Sequence, residues 1–178
     1  MDNIVVVNGK QFQKFIREEE IVSRVRELGL KISKEYTGRK PILISILNGS
    51  FLVTADLFKH IDTECEIAFV RFASYRGTSS TGKVATLMDL SIDITDRDIL
   101  IVEDIVDSGR TIHHFLEILK NKKPKSVAVF TLLHKPDALL NPVQMDYIGF
   151  NIPDTFVIGY GLDFDGLGRN LRDIYRSL

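Results

Sequence analysis

Hydrophobic and polar residues follow two different periods along the chain, and the changes of period mark out its elements. From residue 11 the pattern is helical: Phe15, Ile16, Ile21, Val22, Val25, Leu28 and Ile32 recur at spacings of three and four among charged neighbours, up to the turn TGRKP. The run PILISIL (41–47) is short and almost wholly apolar, as a strand buried on both faces requires. After NGS, a second helical stripe is formed by Phe51, Leu52, Ala55, Phe58 and Ile61. CEIAFVRFASY (65–75) and VATLMDL read as strands, joined by the polar, glycine-containing RGTSSTGK (76–83), which predicts a hairpin with a long tip. DILIVEDIV is the next strand. SGRTIHHFLEILKNK then carries Ile112, Phe115, Leu116 and Leu119 on one helical face, and KSVAVFTLLH (125–134) is a further buried strand. YIGF and FVIGYGLDF are shorter strand candidates, punctuated by Pro142 and Pro153.

Strands alternating with helices predict an α/β fold, a parallel sheet with helices on both faces. The pattern contains no internal repeat, low-complexity tract or interdomain linker, so one domain over residues 1–178 is expected. In open sheets of this kind ligands bind beyond the carboxyl ends of the strands.

Composition narrows the classes. The 23 Lys and Arg balance 24 Asp and Glu, a net charge of −1 that gives no footprint for nucleic acid. Cys65 is the single cysteine, so no internal disulfide can form, and it is expected as a small buried hydrophobe. MDNIVVVNGK lacks the basic start and the length of a signal peptide, and no stretch approaches the roughly 20 apolar residues of a membrane span. A soluble cytoplasmic protein is expected.

The candidate chemistry lies in ILIVEDIVDSGRT (99–111). Glu103 and Asp104 are expected to emerge where the apolar run ends at Val102, pointing in opposite directions as adjacent strand residues do. Carboxylate oxygens suit a hard cation or the hydroxyls of a sugar. Ser108, Gly109, Arg110 and Thr111 then offer backbone N–H groups, hydroxyls and a guanidinium at a helix start, a nest for a phosphate. Acids beside a phosphate cradle suggest a sugar phosphate. The bland alternative is that Asp107 or Ser108 caps the helix while the other acids are solvated charges. No P-loop is present; GYGLDF lacks the third glycine of a dinucleotide fingerprint, and DFDGLG brings Gly166 too early for a calcium loop.

ILIVEDIVDSGRTI closely resembles the phosphoribosyl pyrophosphate (PRPP) motif of the type I phosphoribosyltransferases. ISILNGSF, ASYRGTSSTG, LLHKP and IGFNIPDTFVIGYGLDFDGLGRNL resemble the further motifs of the hypoxanthine-guanine (6-oxopurine) members, over about residues 41–172. The resemblance implies a Rossmann-like sheet with a small hood from the terminal segments, and transfer of a 5-phosphoribosyl group from PRPP to hypoxanthine or guanine. By the same resemblance Leu47, Asn48 and Gly49 form the pyrophosphate loop, and Glu103 and Asp104 hold the ribose hydroxyls and Mg2+. Asp107 faces purine N7, and Ser108 to Thr111 bind the 5′-phosphate. Lys135 donates to the 6-oxo group, Phe156 stacks on the base and Val157 meets it through its backbone. Asp163 is a ligand of a second Mg2+, and Arg169 a pyrophosphate contact. Ser74 and Tyr75 begin a mobile lid over about residues 74–83. Asn48 stands where many members have lysine, which leaves open whether the family's cis peptide at Leu47–Asn48 is present. The resemblance also implies a homodimer or homotetramer. The rival readings are a PRPP-sensing, nucleic-acid-binding regulator on the same fold and an enzyme for another base such as xanthine.

Overall fold

The buried-strand runs form one six-stranded sheet. The computed structural model describes residues 3–74, 84–88, 90 and 92–178. In chain order its elements are β1 (Ile4–Val7), β2 (Lys10–Ile16), α1 (Glu18–Glu35), β3 (Ile42–Leu47), α2 (Phe51–Phe58), β4 (Glu66–Ser74), β5 (Val84–Met88), β6 (Asp98–Val106), α3 (Arg110–Asn121), β7 (Ser126–His134), β8 (Tyr147–Asn151), β9 (Val157–Ile158) and β10 (Ile174–Ser177). The large sheet has the order β5-β4-β3-β6-β7-β8. Five neighbours, from β4 to β8, are parallel, and β5 joins β4 antiparallel at the edge, as the expected hairpin requires.

Both faces of the sheet are covered, which is why β3 and β6 read as continuous apolar runs. Leu43, Leu100, Val102 and Phe130 pack with Val25, Leu28 and Ile32 of α1 and with Val53 and Leu57 of α2. On the opposite face Ile42, Ile44, Ile99 and Ile101 pack with Ile112, Phe115 and Leu119 of α3. Each such fully buried side chain contributes about 1.5–3 kcal/mol by leaving water. No helix among the described residues is long and apolar enough to cross a membrane. Cys65 is free and only partly buried against the first cluster.

A second, four-stranded sheet of order β1-β2-β10-β9 is built from both terminal segments and forms the hood. It corrects the expected helix at residue 11: residues 10–16 are strand, with Phe12 and Ile16 buried, and the helix starts at Glu18. Phe15 and Ile16 close the strand directly before the stripe of Ile21, Val25, Leu28 and Ile32, so the helical period extends into them.

At the end of the sheet opposite the carboxyl edge, Arg39 grips Asp98 with two hydrogen bonds, and Ser126 Oγ donates to Asp98 Oδ1 at 2.6 Å. Chiefly through the Arg39 guanidinium, the buried Asp98 carboxyl is held down at about 2. A carboxyl with a lower pKa in the folded than in the unfolded chain stabilises fully above the unfolded value and loses that contribution as pH falls through the folded one. Asp98→Asn is therefore expected to cost roughly 2 kcal/mol at about pH 7 and much less at about pH 2.5, read by urea denaturation at both.

Candidate active site

The chain leaves β3 in both directions across the sheet, to β4 on one side and β6 on the other, so the topological switch point lies between β3 and β6. Pairing of β3 with β6 ends at Ser45↔Val102, whereas β6 stays paired with β7 as far as Val106↔His134. Residues 103–106 thus remain in the sheet beside β7 after leaving β3, and a crevice opens there. β6 runs to Val106, as the strand DILIVEDIV predicts, but Glu103 and Asp104 do not emerge from it: they are 8% exposed, not the solvated charges of the bland alternative. Both line one cavity of about 220 Å³, together with Leu47, Asn48, Gly49, Phe72, Thr111, Asp163 and Arg169. Glu103 and Thr111 also line a smaller neighbouring cavity of about 80 Å³ formed by residues 105–112.

Two adjacent buried acids are electrostatically unfavourable unless something compensates them. Burial, aided by the Asp104 charge, pushes the Glu103 carboxyl well above the usual carboxylate range. Burial also pushes Asp104 up to about 6, opposed by the N–H groups of Asp104 and Ile105 and by the charge of Arg169. Glu103 Oε2 has no hydrogen-bond partner among the described residues. An orphaned buried carboxylate oxygen, beside Asp104 and Asp163 in one cavity, is a donor set that fits a hard cation. No group of three acidic, His or Cys side chains among the described residues forms a ready cage.

The loop after β3 is held from below by a buried hydroxyl network. Ser45 Oγ lies 2.7 Å from Ser50 Oγ and 2.8 Å from Thr54 Oγ1, and Ser50 Oγ donates to Ile46 O at 2.5 Å. The Leu47–Asn48 peptide is cis. Gly49 is pinched: a Cβ there would stand 1.7 Å from Asp104 Oδ2, and a Cβ on Gly161 would stand 2.1 Å from Gly49 O. Gly161 also has φ +99°, a conformation nearly reserved to glycine. Gly161→Ala is expected to cost about 2–4 kcal/mol from strain and overpacking together. Chemical denaturation checks this, and an unchanged midpoint would contradict the close packing of the two loops.

Glycine also shapes the loop that leads into α3. Gly109 precedes α3 with φ +76°, and a Cβ on it would stand 2.6 Å from Asn141 O. Neither Asp107 nor Ser108 caps the helix through its side chain, so the bland capping reading is not what the acids do. Ser108 O instead accepts from the amides of Leu140 and Asn141, both at 3.1 Å, which anchors the loop from outside the helix. The first helical bond runs from His113 N to Gly109 O, leaving the amides before it outside the α-helical ladder.

Next to this loop, Lys135 is 5% exposed and its Nζ donates to Asp107 Oδ2 at 2.9 Å and to Asp154 Oδ1 at 3.1 Å. Arg169 donates to Gly161 O at 2.6 Å and pairs with Asp163 at 2.6 Å, while Asp163 accepts from Gly166 N at 2.7 Å. Phe156 is 45% exposed and packs by tilted and edge contacts on Phe12 and Phe164 of the hood. Val157 opens β9, its side chain in the core. Ser74 is the last residue of β4, paired with Val84. Tyr75 and the rest of the expected lid, residues 75–83, lie outside the described residues.

The phosphoribosyl transferase domain family matches residues 14–165. The chain is 44% identical over 157 residues to the hypoxanthine-guanine phosphoribosyltransferase of Bacillus subtilis, covering 88% of this chain and 87% of that protein. The chain belongs to the hypoxanthine-guanine phosphoribosyltransferase family. A crystal structure of a hypoxanthine phosphoribosyltransferase from Staphylococcus aureus superposes with a TM-score of 0.89 at 40% identity, over 93% of this chain and 91% of that one. A hypoxanthine-guanine phosphoribosyltransferase from Bacillus anthracis gives 0.88 at 38% identity, over 93% and 98%. The bifunctional TilS/HprT protein of Listeria innocua is 43% identical, but the chain spans only 24% of its length.

Against this phosphoribosyltransferase background, most residues singled out from the sequence line the two adjoining cavities, whereas Phe156 lines a separate cavity of the hood with Phe12 and Phe164. Three participants escaped the sequence reading. Gly161 gave a weak signal in GYG, as a second glycine flanking an aromatic residue. Phe72 reaches the cavity from β4, where the register with β5 shifts between Arg71 and Phe72, and strand patterning does not reveal such an irregularity. Asp154 had no local signal, because its partner Lys135 is 19 residues away in sequence.

Proposed function

We propose that this chain transfers the 5-phosphoribosyl group of PRPP to hypoxanthine and guanine, giving IMP or GMP and pyrophosphate, as a purine-salvage enzyme. The observation that carries the reading is the pair of adjoining cavities that share Glu103 and Thr111. One offers helix-start amides, the other buried acids with Arg169, and PRPP has a phosphate at one end and hydroxyls with a pyrophosphate at the other.

In this reading the amides and hydroxyls of Ser108 to Thr111 bind the 5′-phosphate. Glu103 and Asp104 hold the ribose hydroxyls, while Leu47, Asn48, Gly49 and Arg169 contact the pyrophosphate. Glu103, Asp104 and Asp163 would hold Mg2+ with substrate oxygens, and the metal would supply charge neutralisation of the pyrophosphate. Lys135 donates to the 6-oxo group of the base, Phe156 stacks on its ring and Val157 meets it through the backbone. C1′ becomes oxocarbenium-like as its bond to pyrophosphate breaks, and purine N9 attacks while Asp107 takes the proton from N7. A cytoplasmic setting and a homodimer or homotetramer belong to the same proposal. Ile67 and Phe69, on one face of β4, and Phe51 of α2 are exposed apolar side chains that an assembly would cover.

The test is incubation with PRPP, magnesium and a panel of hypoxanthine, guanine, xanthine and adenine, with products separated and identified. IMP and GMP are expected. Turnover confined to another base would replace the substrate assignment.

A further inference from the structure

Lys135 carries a buried ammonium between two acids of different character. Asp107 lies at the end of the phosphate-loop strand with its side chain 54% exposed; Asp154, on the segment between β8 and β9, is 66% exposed. A buried ammonium needs an anion throughout any rearrangement, because an unpaired charge in a desolvated site is strongly unfavourable. Under the proposed function, on which this inference rests, both groups of the Lys135–Asp107 pair are wanted elsewhere when the base arrives. Lys135 must donate to the 6-oxo group, and Asp107 must accept from N7. Their ion pair in the free protein is therefore one that base binding has to break.

We propose that Asp154 is a positioning residue: it keeps the Lys135 ammonium ion-paired and aimed into the base pocket while Asp107 is given over to the incoming base. The geometry supports the division of labour. At 3.1 Å the Asp154 contact already exists alongside the 2.9 Å contact to Asp107, so the ammonium can exchange one acceptor for the purine oxygen without losing the other. An ammonium has three protons to donate, enough for Asp154 and the purine oxygen at once. Asp154 keeps access to water on its outer side, so its own charge is not stranded during the exchange.

Removing the Asp154 charge makes Asp107 the sole anion on Lys135, and base binding then competes with that pair. Asp154→Asn is expected to raise KM for hypoxanthine about tenfold. KM for PRPP should stay within about twofold, as should the inhibition constant of unsubstituted purine, which has no 6-oxygen. Asp154→Glu restores the charge and should recover most of the loss. Melting curves should be unchanged, because Asp154 is exposed. Hypoxanthine turnover by the unaltered protein tests the proposed function separately; if it is absent, that reading fails and this one with it. If turnover is present, the positioning role is overturned by an unchanged KM for hypoxanthine in Asp154→Asn. It is equally overturned by parallel rises for PRPP and unsubstituted purine, or by a Glu variant no better than Asn.

Discussion

Asp107→Asn is expected to lower kcat by about 10–10³-fold while KM for PRPP changes little. The substitution preserves size and leaves an amide oxygen that can still accept from Lys135, whose ammonium also keeps Asp154. What it removes is the basic group that takes the N7 proton in the proposed reaction. The phosphate loop should survive, because its anchor runs through the Ser108 carbonyl and the fit of Gly109 against Asn141, not through the Asp107 side chain. Steady-state kinetics with each substrate varied in turn would decide. Full kcat with weakened PRPP binding would make Asp107 part of the phosphate loop only.

The second large effect concerns the base. Lys135 Nζ is a donor without acceptor capacity, so in the proposed base site an amino group at C6 sets donor against donor beside a buried ammonium. Adenine should be at least ~10²-fold poorer than hypoxanthine in kcat/KM. Lys135→Ala should raise KM for the oxopurine far more than KM for PRPP, and should narrow the gap between the two bases. The fold should tolerate the change, because the two carboxylates left behind are more than half exposed and can be hydrated. Efficient use of adenine by the unaltered protein would remove Lys135 from its assigned role.

The sheet was legible in the sequence because β3, β6 and β7 are dense apolar runs, largely buried, while β4 and β5 are short strand-like runs flanking a polar, glycine-containing turn. The hood was less so. Its strands β1, β9 and β10 span two to four residues each, too short for a period to declare itself. In β2, Phe15 and Ile16 stand just before the apolar stripe of α1 and read as its first turn. The acids were legible as residues and misplaced in depth. Nothing in ILIVEDIV tells where the neighbouring strand stops, and it is the loss of β3 at Val102, with β7 continuing, that buries Glu103 and Asp104 beside an open crevice. The aromatic ring of Phe156 could be assigned by likeness to other sequences, but its seat on Phe12 and Phe164 depends on contacts across the hood that join the two ends of the chain.

The central claim is that the crevice between β3 and β6 binds PRPP and transfers its ribosyl group to a base. It is tested most directly by measuring pyrophosphate and nucleotide together from the same reaction, with magnesium and PRPP, in the presence and absence of hypoxanthine. One pyrophosphate per IMP, and almost no pyrophosphate without the base, is the expected result. PRPP bound with no pyrophosphate released under either condition would make the protein a sensor, and release at the same rate without the base would make it a hydrolase; either would contradict the account.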